Sequence, residues 1–126
     1  MTTKKFYAKY QGRGIEDDHA YKSEDFKQFA RDFRSMLREQ LKDIGGYIVK
    51  FNVGHYDVSG FIKQGVRCAY FSYSVPRGQW PIDLERSDAL GGILVRRARD
   101  EHDYYGGSNN FTNLAGLQTL IKACLS

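Results

Sequence analysis

The stretch from Ser23 to Ile44 reads as one amphipathic helix, and it constrains the fold of this chain more than any other feature. At about 100° per residue, Phe26, Phe29, Ala30, Phe33, Met36, Leu37, Leu41 and Ile44 share one broad face. A helix face so rich in large apolar side chains demands a second layer to pack against. The remaining surface is sorted by sign. Lys27, Arg31, Arg34, Arg38 and Lys42 form a narrow cationic row, whereas Asp25, Asp32, Glu39 and Asp43 fall on the opposite shoulder. Ser23 offers an N-cap oxygen, Glu24 and Asp25 set negative charge against the positive end of the helix dipole, and Gly45-Gly46 ends the helix where positive φ costs little.

From Tyr47 the period switches from helical to alternating, with Tyr47, Val49, Phe51 and Val53 on one side of a strand. A turn near Gly54-His55 leads into a second strand over residues 56–63, and Gln64-Gly65 reverses the chain into a third over residues 66–75. Short connections of this kind predict an antiparallel meander. Pro76 to Pro81 form a corner carrying the single Trp, and Ile93 to Ala98 have the branched-residue density of a further strand. Residues 6–11 alternate well enough for a short first strand, residues 12–22 read as a loop, and residues 100–110 read as a loop rich in turn formers. Thr112 or Asn113 caps a last helix with Leu114, Leu117, Leu120, Ile121 and Cys124 on one side.

The expected architecture is therefore α+β: an antiparallel sheet of four to five strands with one long and one short helix packed on one face. A length of 126 residues fits one domain spanning residues 1–126, and the 41% hydrophobic and 14% aromatic content argues against disorder. No apolar run approaches the roughly 20 residues of a membrane span, so a soluble, cytoplasmic protein without membrane contact is expected. The net charge of +4 permits nucleic acid as a partner without demanding it. Cys68 and Cys124 lie in core-forming segments with no zinc spacing and read as reduced core thiols.

No residue pattern calls for catalysis, a metal or a cofactor. His19, His55 and His102 each have a carboxylate nearby, but no HExxH or HxH spacing accompanies them, and the glycine pairs lack the setting of a phosphate loop. Asp25 and Lys27, or the run Asp100-Glu101-His102-Asp103, are the residues a metal nuclease would have to use. Binding is the better reading. The five cations of the helix line up over about 22 Å, and their repulsion gains nothing for an isolated helix, so a run of phosphates or an acidic protein groove would suit them, the plain alternative being a solvated face balanced by neighbouring acids. Tyr70, Phe71 and Tyr73, with Arg67 and Arg77, are a candidate stacking platform, although an alternating aromatic strand is more often half core and half edge.

Arg96, Arg97 and Arg99 add three cations within four residues and lead into a loop bearing Tyr104 and Tyr105. The run Arg96 to Asn110 resembles the "RTAK-x-EKDYTGG-x-N" stretch of small accessory proteins of phages and conjugative elements in Gram-positive bacteria, departing from it at Arg97 and Tyr105 and covering about an eighth of the chain. Some proteins of that kind are anti-CRISPR proteins. The resemblance implies a stoichiometric inhibitor, working in the bacterial host cell, that occupies the surface of a host protein or nucleoprotein complex such as a CRISPR effector. A basic chain does not mimic a DNA duplex, so the resemblance points to an acidic protein surface or guide RNA. The rival is a module that binds nucleic acid directly through residues 24–43. A free sheet face with exposed tyrosines would in addition suit a homodimer.

Overall fold

The computed structural model describes residues 1–16, 23–76, 78 and 80–126. Three helices, α1 (Thr3–Tyr10), α2 (Glu24–Lys42) and α3 (Leu117–Leu125), accompany five strands: β1 (Tyr47–Val53), β2 (Asp57–Gln64), β3 (Arg67–Ser74), β4 (Ile93–Ala98) and β5 (Asn110–Thr112). The strands form one antiparallel meander in the order β1-β2-β3-β4-β5, so β1 and β5 are its edges. The α+β architecture matches the sequence expectation, with one helix more.

That extra helix corrects the strand expected over residues 6–11. Thr2 caps α1 by accepting a hydrogen bond from the Lys5 N–H, and Phe6 and Tyr10, one helical turn apart, are both fully buried. A segment this short carries both periods, and the aromatic face of α2 selects the helical one: Phe6 meets Phe29 and Phe33 at ring separations of 5.6 and 5.9 Å. The fifth strand is instead β5, whose Asn110 pairs with Val95 at the end of the segment expected to be loop. The last helix also starts later than expected. Thr112 closes β5, Asn113 accepts the Gly116 N–H in a side-chain turn, and α3 begins at Leu117 with its apolar face intact.

The apolar face of α2 lies on one face of the sheet. Phe33 stacks on Tyr73 at 6.1 Å and on Phe71 at 6.2 Å, both from β3. Val58 and Ile62 of β2 and Val95 of β4 complete the same layer and are fully buried. At the C-terminus of α2, Gly45 adopts φ +70° and the Gly46 N–H returns to the Leu41 carbonyl, which closes the helix and turns the chain into β1.

β1 carries a bulge between Ile48 and Lys50, and Gly60 of β2 makes room for it. A Cβ at position 60 would sit 1.9 Å from the Lys50 carbonyl oxygen and 3.1 Å from the Phe71 ring. Neither backbone nor buried ring can yield cheaply. Gly60→Ala is therefore expected to destabilise the fold by about 1–3 kcal/mol, read from the midpoint of chemical denaturation, whereas the same change at Gly65, which has open space around it but φ +61°, tests backbone strain alone.

Candidate partner-binding surface

Tertiary contacts use the two charged shoulders of α2 differently. Asp32 is buried and accepts hydrogen bonds from Lys9 Nζ at 2.7 Å, Tyr10 Oη at 2.6 Å and Gln28 Nε2 at 3.1 Å. Asp25 holds the Arg13 guanidinium and accepts the Glu16 N–H, Glu39 pairs with the amino group of Met1 at 3.1 Å, and Asp43 accepts from Gln118 of α3. Thus the acids bind α2 to its neighbours. Burial alone would raise the Asp32 carboxyl, but the hydrogen bonds from Lys9, Tyr10 and Gln28 outweigh it and hold the group below its ordinary range.

The cationic row is left outward. Lys27 makes a long 3.4 Å pair with Glu24, Arg31 donates to Gln28 at 2.9 Å, and Arg34 lies over the Phe51 ring of β1 at 5.3 Å. Arg31, Arg34, Arg38 and Lys42 are exposed, and among the described residues none of these four meets a carboxylate. Between the row and the sheet edge runs an open groove of ≈ 350 Å³ lined by Lys27, Ala30, Arg31, Arg34, Phe51 and Val53. Its walls are cationic and its floor is apolar.

On the other face of the sheet the loop over residues 99–107 folds back across β1, β2 and β3. Arg96 fastens it. Contrary to a surface role, this arginine is only 3% exposed: it donates to the Asp103 carbonyl at 2.6 Å and the Arg97 carbonyl at 3.2 Å, and its guanidinium stacks 4.6 Å from the Tyr70 ring centre. A strand position facing away from the helices becomes buried because the loop closes over it. The Asp103 carboxylate accepts the Arg99 and Gly106 N–H groups, which depress its pKa. Tyr104 packs edge-on against Phe61 at 5.0 Å and Tyr70 at 6.0 Å, Lys50 donates to the Glu101 carbonyl and the Tyr104 hydroxyl, and Lys63 pairs with Glu101 at 2.8 Å. Phe61 is fully buried in consequence. Arg97 of β4 and the loop residues Arg99 and Tyr105 stay outward: Arg97 is exposed, Arg99 has a side chain 89% exposed, and Tyr105 is 99% exposed.

The stacking platform expected on β3 is not formed. Phe71 and Tyr73 point into the helix-covered core and are 1% exposed, while Tyr70 lies under Tyr104. Arg67 is exposed, and Arg77 and His19 lie outside the described residues. The carboxylates of the candidate nuclease run are engaged within the loop or on the sheet: Asp100 accepts the His102 N–H, Glu101 takes Lys63, and Asp103 holds the turn. Among the described residues no three His, Cys, Asp or Glu side chains converge as a metal would require. Burial raises the pKa of both Cys68 and Cys124, the reverse of an activated thiol. No described helix is long and apolar enough to cross a membrane. The chain matches no protein-family model, no curated protein and no solved structure.

The residues that sequence reasoning missed are Lys50, Phe51 and Val53. They belong to a segment read only as an alternating strand, and nothing in its alternation marks it as the edge nearest to α2.

Two outcomes follow for the groups that hold this surface in place. Because Asp32 is depressed in the folded state, its contribution to stability is fully present above the ordinary value of 3.8 and is lost as pH falls through the lower folded value. The stability gap between the native chain and Asp32→Asn should therefore be constant near neutrality and close below about pH 4, as followed by thermal melts across pH. Removing the buried charged donor in Arg96→Ala should cost about 1.5–3 kcal/mol and speed amide exchange across residues 99–107 more than in α2.

Proposed function

We propose that this chain is a non-catalytic binding protein that engages an anionic partner through the outer flank of α2. The carrying observation is the partition of charge: Asp25, Asp32, Glu39 and Asp43 are engaged by α1, the segment after it, the amino group of Met1 and α3, while Arg31, Arg34, Arg38 and Lys42 stay exposed without carboxylates among the described residues. Apart from the Arg31–Gln28 hydrogen bond and the Arg34 contact with Phe51, these four cations find no counter-charge among the described residues, which leaves them for a partner. An acidic protein surface suits it better than bare nucleic acid, because the cations border the apolar floor of Phe51 and Val53 while the aromatics Phe71 and Tyr73 are withdrawn into the core. The resemblance of residues 96–110 to accessory proteins of mobile elements points to an inhibitor of a host-defence nucleoprotein such as a CRISPR effector, with Arg97, Arg99 and Tyr105 as the outward part of that segment.

The second reading, direct binding to nucleic acid along the same row, is favoured by its length of about 22 Å and predicts affinity that falls steeply with salt. A homodimer through the outer sheet face has less to use than the sequence suggests, since Tyr70 and Tyr104 pack under and within the loop and Tyr47 remains as an outlying exposed ring.

The triple variant Arg31→Glu, Arg34→Glu, Arg38→Glu should abolish partner capture from bacterial lysate while leaving the melting temperature nearly unchanged. Capture that survives nuclease treatment supports the protein-surface reading, and capture lost on nuclease treatment transfers the row to nucleic acid. Retention of the partner by the triple variant overturns both.

A further inference from the structure

We propose that the free edge of β1 accepts an extended, acidic segment of the partner protein as an added antiparallel or parallel strand, with α2 supplying the cations that select it. This rests on the binding role assigned to the α2 flank and specifies the partner's conformation and chemistry.

Three observations carry it. The first is the sheet order, which among the described residues leaves β1 with no strand neighbour on one side. The hydrogen bond from the Gly54 N–H to the Asp57 carbonyl, 2.9 Å, fixes the phase of the β1–β2 ladder. Inward- and outward-turned residues alternate along such a ladder, so Asn52 faces β2, and Phe51 and Val53 turn their N–H and C=O groups to the open side. Edges of this kind are ordinarily blunted by shortness, bulges or cover. β1 spans seven residues against three in β5, the opposite edge, and its bulge lies between Ile48 and Lys50, outside residues 51–53.

The second observation is that the side chains of those same two residues form the floor of the groove beneath Arg31 and Arg34. A strand added here would place alternate side chains beside Phe51 and Val53 on the same face of the sheet. Glutamate fits that position: its methylene groups cover the apolar floor and its carboxylate reaches the guanidinium groups. Main-chain hydrogen bonds would supply affinity, and the cations would supply selection.

The third concerns the alternative occupant. Antiparallel pairing of two copies through β1 about a local twofold axis normal to the sheet would set both α2 helices on the same face, with their cationic rows facing across the seam. Like charges so placed disfavour association. A partner strand of opposite sign removes that conflict.

The probe is a capped peptide of about seven residues alternating Glu and Val, long enough to span an edge strand, with a Lys/Val peptide and a single-stranded oligonucleotide as comparisons. On addition of the Glu/Val peptide, amide exchange read by NMR should slow at Phe51 and Val53 while Asn52, already bonded to β2, is unchanged. Val53→Pro removes one outward N–H at an edge position where proline is tolerated, and should weaken peptide binding about tenfold without lowering the melting temperature. If that variant does not fold, the exchange pattern of the native chain decides alone. Equal binding of the Lys/Val peptide, binding without slowed exchange at Phe51 and Val53, a folded Val53→Pro variant that binds as the native chain does, or dimerisation that itself protects those amides overturns the edge proposal. Tight oligonucleotide binding that leaves those amides unprotected, with no Glu/Val binding, does so as well. Loss of the cellular partner in the Arg31, Arg34, Arg38 variant but not in Val53→Pro leaves the α2 binding role standing and removes only the added strand.

Discussion

Phe29 and Phe33, one turn apart on α2, are the contact on which the remaining packing depends. Phe29 meets Phe6 and Tyr10 of α1 and Tyr73 of β3 with ring centres 5.0–6.0 Å apart, and Phe33 meets Phe6, Tyr73 and Phe71 at 5.9–6.2 Å. Each ring pair adds about 0.5–1.5 kcal/mol beyond the area it buries, and together they join α1, α2 and the sheet at one place. The helical state of residues 3–10 depends on this junction, since α1 is too short to persist alone. Truncating either ring would leave a cavity shared by all three elements.

The same junction decides where the charges of α2 go. Once α1 lies beside α2, Asp32 is removed from water, and a buried carboxylate is tolerated only with partners. Lys9, Tyr10 and Gln28 supply them, and burial followed by the bond to Asp32 raises the Tyr10 hydroxyl well above its usual range. The cations on the other flank face no such element. Lys27, Arg31 and Arg34 border the groove at the β1 edge, and Arg38 and Lys42 continue the row into solvent. The surface proposed for binding is thus the side of the helix that packing did not use.

The two faces of the sheet are covered by different means. Helices cover one with aliphatic and aromatic side chains, whereas a loop covers part of the other through Arg96, Asp103 and Tyr104. Hydrogen bonds and ring contacts take the place of bulk burial there. The loop holds its backbone by satisfying carbonyls and N–H groups from beneath, and Tyr105 stands clear of it.

Local pattern was enough to place α2, the hairpin-linked strands β1 to β3 and the α+β class, because α2 and β1 repeat their periods over enough residues to exclude the other period and short turns join the strands, while β4 was legible only from its branched residues. The cationic row was legible for the same reason: a helix of known pitch places every fourth or third residue on one flank. Residues 3–10 and 110–112 were not legible, since a segment of one or two turns carries no decisive period and takes its state from what it packs against. Nor could the sequence separate Arg96, buried under a loop, from Arg97 and Arg99, because that difference depends on residues 99–107 crossing the sheet. The status of β1 as an open edge beside α2 is likewise a property of strand order, and strand order is set by which contacts the whole chain can satisfy at once.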